Sequence, residues 1–328
     1  MKLARYLSFT ASQPSTVFRT LSRIPARASA VWRTRGASRS LGYLLYYSSH
    51  YTGIPVDAMW WKYEMRSQRD SVVRTRVLDF DMLVDLNDRG ISRQLWLEGC
   101  REFGAVDAYR RELRRLEEAV EGKVGIMDVG ANTGYYVLIA GHTLDNARIL
   151  AIEPAPANVE LLSKNVQISG FDERVNVTQG ALSSDTGTRR FYLSAQSNVH
   201  SMERPTEKSI EVPTWRLDDF LRLKGVNPNE VHVIRMDTEG HEAEILKGAE
   251  NTLGGSTPML LFIEFHANLA RDGRLAGAIA RLRRFGFTIA YACVDYFTGP
   301  VEEFHTYEAL EDALRRHEAA EVFLTRGY

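Results

Sequence analysis

The sequence predicts an α/β fold, a mostly parallel sheet with helices on both faces. Three observations carry that reading. From residue 123 onward, short apolar strands alternate with amphipathic helices. A glycine-bearing turn follows the first of these strands and opens a helix. The acidic motifs fall directly after strands. Alternation of this kind builds βαβ units, whose parallel strands are buried on both faces and bind ligands beyond their carboxyl ends.

The elements follow in order. Residues 77–86 alternate apolar positions with acids and read as a strand or hairpin region, and 87–90 as a turn. In 103–122 the apolar positions Phe103, Val106, Tyr109, Leu113, Leu116 and Val120 recur at helical spacing, and Gly122 suits the end of that helix. Strands are expected over 124–129, 148–152, 175–178, 231–236, 259–265, 287–291 and 321–325. Helices are expected over 135–144, 155–168, 217–223, 241–252, 273–284 and 307–317. Residues 183–213 are rich in turns and alternate, which predicts a hairpin insertion. The domain reading is a basic arm over 1–56, an α/β lead-in over 57–122 and the main domain over 123–328.

Bulk properties exclude several classes. The chain has 328 residues, with 44% apolar and 25% charged, as in ordinary globular proteins. A net charge of −1 gives no reason to expect a nucleic-acid partner. Cys100 and Cys293 match no zinc or redox spacing, so free thiols in a reducing compartment are expected. No window reaches the roughly 18 apolar residues of a membrane span, and no apolar core of a secretory signal follows the first basic residues. A cytoplasmic location is the resulting expectation. Residues 1–56 hold Lys2, Arg5, Arg19, Arg23, Arg27, Arg33, Arg35 and Arg39 and no acid. A flexible arm, a segment touching an anionic membrane surface and an organelle transit peptide all fit that composition.

The turn Asp128-Val129-Gly130-Ala131-Asn132-Thr133-Gly134 places two glycines and a helix start after a strand, as in a Rossmann-like nucleotide site. The dinucleotide fingerprint G-x-G-x-x-G fails, because Asn132 and Tyr135 stand at its second and third glycine positions. That argues against an NAD or nucleotide-sugar enzyme on a similar sheet. The carboxylate of Asp128 suits the amino group of a methionine moiety, and Glu153, ending the next strand, suits ribose hydroxyls.

Asp-Val-Gly-Ala-Asn-x-Gly at 128–134, Ile-Glu-Pro-x-Pro-x-Asn at 152–158 and Met-Asp-x-Glu-Gly-x-Glu at 236–242 closely resemble the FkbM family of methyltransferases. Trp215-Arg216-Leu217-Asp218-Asp219-Phe220 is similar to a further stretch of that family, with Arg216 replacing a Thr. The match covers roughly residues 80–328. The resemblance implies a class I methyltransferase fold with a seven-stranded sheet. It also implies S-adenosylmethionine as cofactor, with contacts at Asp128, Gly130, Asn132, Gly134 and Glu153. The implied reaction is methyl transfer, often to oxygen, on a glycan, glycolipid or small metabolite, with N-methylation as the alternative.

An alcohol acceptor must lose a proton, so a base within hydrogen-bond reach is expected. Candidates are Asp237, Glu239 and His241 after one strand and His266 after the next. The ordinary pKa of histidine suits the role, and His266 is favoured because it follows a buried strand. Glu239 and Glu242 also begin a helix, where carboxylates cap free N–H groups. Asp237, Glu264 and His266 together offer a ligand set for a divalent cation. Ser197, Asn198, His200 and Ser201 lie in the insertion, as a cover over the acceptor or as a solvated turn.

Overall fold

The computed structural model describes residues 28–29, 31–33, 35–52, 56–88, 90–194, 196–197, 200–296 and 299–328. Most of the basic arm, including Lys2, Arg5, Arg19, Arg23 and Arg27, lies outside the described residues, as does Asn198. The chain divides into two compact units, Met1–Phe103 with Tyr296–Val301, and Gly104–Asp295 with Glu302–Tyr328.

In the first unit, helices α1 (Ala37–Thr52) and α2 (Ala58–Ser67) precede the hairpin β1 (Val72–Val77) and β2 (Phe80–Asp85), followed by α3 (Ile91–Glu98). Alternation in β2 buries Phe80, Met82 and Val84, in keeping with a half-buried hairpin. Tyr43, Tyr47, Trp60, Trp61 and Leu95 are buried, and the guanidinium groups of Arg39 and Arg93 stack on Trp96 and Trp61 at 3.8 and 4.4 Å.

The second unit runs α4 (Phe103–Ala119), β3 (Gly125–Val129), α5 (Tyr135–Thr143), β4 (Arg148–Glu153), α6 (Pro156–Ile168) and β5 (Val175–Gln179). Then come β6 (Ala181–Leu182), β7 (Gly187–Leu193), β8 (Lys208–Trp215), α7 (Leu217–Leu223), β9 (Val233–Met236), α8 (Glu242–Lys247) and α9 (Glu250–Leu253). The chain ends with β10 (Met259–His266), α10 (Ala267–Arg271), α11 (Arg274–Arg284), β11 (Thr288–Tyr296), β12 (Gly299–Phe304), α12 (Tyr307–Arg316) and β13 (Ala319–Arg326). The main sheet has the order β12-β11-β13-β10-β9-β3-β4-β5. Strands β10, β9, β3, β4 and β5 pair in parallel, and β13 runs antiparallel to both β10 and β11. The chain reverses direction across the sheet between β3 and β9, the place where open α/β sheets bind ligands.

The mostly parallel α/β architecture is the one expected, with three differences. The sheet has eight strands rather than seven, because β12 forms over Gly299-Pro300-Val301-Glu302-Glu303-Phe304. Its proline and paired acids read as a loop, yet an edge strand accepts both. The helix expected over 241–252 is two helices. The carboxylate of Asp218 accepts from the amides of Asn251 and Thr252 at 2.9 and 3.0 Å, capping a fresh helix start at α9. The expected hairpin insertion forms, but β7 and β8 join β6 in a separate three-stranded sheet.

Candidate active site

The turn after β3 is shaped by close packing. Gly130 has φ +78°, and a Cβ there would lie 2.1 Å from the carbonyl oxygen of Asp237. Only glycine lets the ends of β3 and β9 approach this closely. The amides of Gly130 and Ala131 both donate to the Ile152 carbonyl at 2.9 and 3.0 Å. Asn132 adopts φ +50°, and its amide donates to Glu153 Oε2 at 2.9 Å. Its side chain donates to the Ser197 carbonyl at 3.1 Å, which ties the insertion to the turn. Gly134, φ +94°, makes its close approach to Leu162 of α6, so it serves helix packing and does not line the cleft described below.

Glu153 is buried at the end of β4. Its carboxylate also accepts from the Ala155 amide at 3.0 Å and the Asn158 side chain at 3.2 Å. Burial pushes its pKa up to about 7, further than these hydrogen bonds pull it down.

An open cleft of about 560 Å³, counting space continuous with solvent, lies beyond these strand ends. Gly130, Asn132 and Glu153 line one side, and Asp237, Thr238 and Glu239 line the other. Ile152, Leu182, Phe191 and Met202 supply apolar wall, and His200 adds a ring beside Phe191. The mixed lining, apolar with a few converging polar groups, suits a small-molecule site. Ser201 is buried and donates through Oγ to the Glu239 carbonyl at 3.2 Å, while Arg204 pairs with the Glu239 carboxylate at 2.9 Å. The insertion therefore covers the end of β9. Glu239 itself has φ +55°, a conformation that costs energy in a non-glycine residue and collects at functional sites.

Asp128, expected to meet a ligand's amino group, is held through one carboxylate oxygen by a partner within the protein. It is buried outside the cleft lining and accepts from Arg235 of β9 at 3.2 Å. Burial raises its pKa, against the pull of Arg235. Arg235 also donates to the Gly130 carbonyl at 3.1 Å and to Asp237 at 3.0 Å, and lies over Tyr136 at 4.5 Å. This guanidinium locks β3 to β9 and fixes the Asp237 carboxylate. Its signal in the sequence is a lone cation inside the apolar strand Val-Ile-Arg-Met. A buried charge is kept only where partners satisfy it.

The histidine expectations also change. His241 is buried between Ser183, 3.0 Å from Nε2, and Glu203, 2.6 Å from Nδ1, outside the cleft lining. Glu203 binds Arg274 as well, so the His241 ring links the insertion to α11 and lies away from the cleft lining. Glu203 has no motif in the sequence that marks it. His266 is buried, with Nδ1 3.2 Å from Glu242 and Nε2 3.5 Å from Glu239. Burial alone would lower its pKa, but Glu242 and Glu239 overcome that and hold it well above 6.5. A raised pKa disfavours the general-base role expected of His266 near neutral pH. Glu242 is wholly buried, and its Oε1 also accepts from the amides of Thr238 and Gly240 at 3.1 Å, stapling the loop after β9. As for a cation, Asp237, Glu239 and His266 each offer one ligand atom, all within 4.8 Å of one another. Glu239 takes the place expected of Glu264, whose carboxylate lies 3.8 Å from His266.

Residues 128–289 match the family model of the methyltransferase FkbM domain. The chain is 31% identical over 180 residues to the hexuronic acid methyltransferase AglP of Haloferax volcanii, covering 52% of this chain and 70% of that protein. It is 25% identical over 218 residues to the 31-O-demethyl-FK506 methyltransferase FkbM of Streptomyces tacrolimicus, covering 56% of this chain and 81% of that one.

Proposed function

Because this chain belongs to the FkbM family of methyltransferases, we propose that it methylates a hydroxyl of a sugar or small metabolite, with S-adenosylmethionine as donor. The observation that carries the reading is that Glu153, after β4, and Asp237 and Glu239, after β9, open on one cleft. The cleft suits a nucleoside because Glu153 is a buried acceptor beside an apolar wall. When bound, S-adenosylmethionine supplies an electrophilic methyl on sulfonium. The chain's own residues divide the remaining work. Glu153 accepts hydrogen bonds from ribose hydroxyls, with Asn132 and Asn158 holding its carboxylate in place. Ile152, Leu182 and Phe191 shield the nucleoside from water. Asp237 and Glu239 orient the acceptor hydroxyl and take its proton. Arg235 positions Asp237, and the cationic His266 positions Glu239. Support for oxygen as target, and for a sugar, comes from the two relatives named above, one acting on a hexuronic acid and one described by an O-demethyl substrate.

The test is transfer of labelled methyl from S-adenosylmethionine to a panel of uronic acids, neutral sugars, hydroxylated metabolites and amines. Label on an oxygen is expected. Asp237→Asn and Glu239→Gln are each expected to lower turnover by about 10²–10⁴-fold, the usual worth of a general base, with affinity for S-adenosylhomocysteine unchanged. Label confined to amines, or no affinity for S-adenosylhomocysteine, overturns the reading. A chelator in the same assay reports whether a divalent cation at Asp237, Glu239 and His266 takes part.

A further inference from the structure

The surface of the first unit carries a pattern that methyl transfer does not use. Of the nine exposed large hydrophobic residues among the described ones, six fall between residues 32 and 63: Trp32, Leu41, Leu44, Val56, Met59 and Tyr63. Met59 is 84% exposed, Tyr63 67% and Trp32 61%. A solvent-facing helix usually shows charged residues there instead.

The pattern is ordered. On α2 the exposed residues Met59, Lys62, Tyr63 and Arg66 are spaced three, one and three apart, which forms one stripe along the helix. Trp60, Trp61 and Glu64 are buried on the opposite face. On α1, Leu41 and Leu44 are exposed one turn apart, while Tyr43 and Tyr47 are buried.

Charge follows the same division. Residues 1–67 contain two acids, Asp57 and Glu64. Both are buried and consumed inside the unit. Asp57 accepts from Ser49 at 2.6 Å and pairs with Arg93 at 3.1 Å. Glu64 accepts from Trp96 at 3.2 Å and Ser38 at 3.3 Å. Arg33, Lys62 and Arg66 are exposed. Among the described residues up to Ser67, the surface therefore shows large apolar groups and cations but no carboxylate.

We infer that this face docks on an anionic lipid surface. Met59 and Tyr63 enter the headgroup boundary, and Lys62 and Arg66 meet the lipid phosphates. Apolar side chains and cations sharing one exposed stripe suit an interface with oil below and negative charge above. A nucleic acid would reward the cations but not Met59, Leu41 or Leu44, which offer it neither charge nor a stacking plane. No helix among the described residues is long and apolar enough to cross a membrane, so the contact is peripheral. The composition of residues 1–56, eight basic and no acidic, adds attraction of the same sign.

The full chain is tested by co-sedimentation with vesicles of phosphatidylcholine alone and of phosphatidylcholine mixed with phosphatidylglycerol. Binding to the mixed vesicles alone is expected, weakening as salt is added. Lys62→Gln with Arg66→Gln should weaken partitioning by about 30-fold, and Met59→Ser with Tyr63→Ser should weaken it at every salt concentration. Both pairs lie on the surface, and an unchanged melting temperature and unchanged S-adenosylhomocysteine affinity show that the fold is intact. Equal binding to neutral vesicles, no binding to either, or wild-type partitioning by both paired variants overturns the inference. So does a dimer in solution that Met59→Ser with Tyr63→Ser dissolves, which would assign the face to a second copy of the chain.

Discussion

Two buried glutamates, Glu153 at the end of β4 and Glu242 at the start of α8, have surroundings that treat them in opposite ways. Glu153 receives only neutral donors, the Asn132 and Ala155 amides and the Asn158 side chain, and burial pushes its pKa up to about 7. Glu242 faces burial too, but the cationic His266 and the loop amides outweigh it and hold the carboxyl below its ordinary value. A carboxylate without a countercharge is costly to keep and is left ready for donors from a ligand. The Glu242 carboxylate, wholly buried and holding both His266 and the loop amides, is engaged within the protein. On the proposed function, the difference would separate a residue that binds from one that builds, although both glutamates sit in motifs of equal prominence in the sequence.

The sharpest way to break this contrast is Glu242→Gln. It leaves His266 buried with a weakened set of countercharges, and breaking a buried pair from one side costs about 3 kcal/mol or more. Urea unfolding near neutral pH should show that loss. The sign follows from the two shifts. Glu242 has a lowered folded pKa, so its contribution is present above its unfolded value of 4.5 and is lost on acidification through the folded value. His266 has a raised one, so its contribution is complete below 6.5 and is lost as pH rises through the folded value. The variant should lose both arms of that profile. Full stability with abolished turnover would instead make Glu242 a chemical residue.

Glu153 gives a smaller effect, on affinity. Glu153→Gln should weaken S-adenosylhomocysteine by about 10–100-fold, the worth of hydrogen bonds to a charged acceptor. In the wild type, donors from a ligand favour the ionised form, so affinity should rise by about tenfold between pH 6 and pH 8. The raised folded pKa gives the opposite sign for the ligand-free protein. Glu153 adds stability that is full below its unfolded value of 4.5 and is lost as pH climbs through about 7. Glu153→Gln should therefore flatten the pH dependence of binding measured by calorimetry. A variant that keeps the slope removes Glu153 from the cofactor site.

How far the sequence was legible depends on whether a residue's partner is near in the chain. Strand and helix order could be read because buried strands are short apolar runs and helices repeat at their own period. Gly130, Asn132 and Glu153 could be placed because a turn and the next strand end form one local unit, and the structure brings them together on the cleft. Asp128 could not, because its partner Arg235 is 107 residues away and no local pattern announces the pairing. The partners of the histidines were hidden for the same reason. His241 meets Glu203 from the insertion, 38 residues earlier, and His266 meets Glu242 from the neighbouring strand end. Proximity in a motif shows where a side chain starts, whereas burial and countercharge decide what it can do.

His241 is the mildest probe of that distinction. It stands inside the Asp-x-Glu-Gly motif, next to Glu242, where a catalytic role looks natural from the sequence. The structure has both ring nitrogens engaged, with Ser183 on one side and Glu203 on the other. Arg274 holds Glu203 independently, so Glu203 keeps that partner when the ring is replaced. His241→Asn should therefore cost about 1 kcal/mol of stability, the scale of one buried hydrogen bond, and leave turnover within about twofold of the wild type. KM for the acceptor is the parameter expected to rise, because Ser201, Met202 and Arg204 flank Glu203 in the segment that covers Glu239. Turnover reduced by about a hundredfold or more, with the pH profile of a lost base, would return His241 to the chemistry and place the insertion's anchor elsewhere.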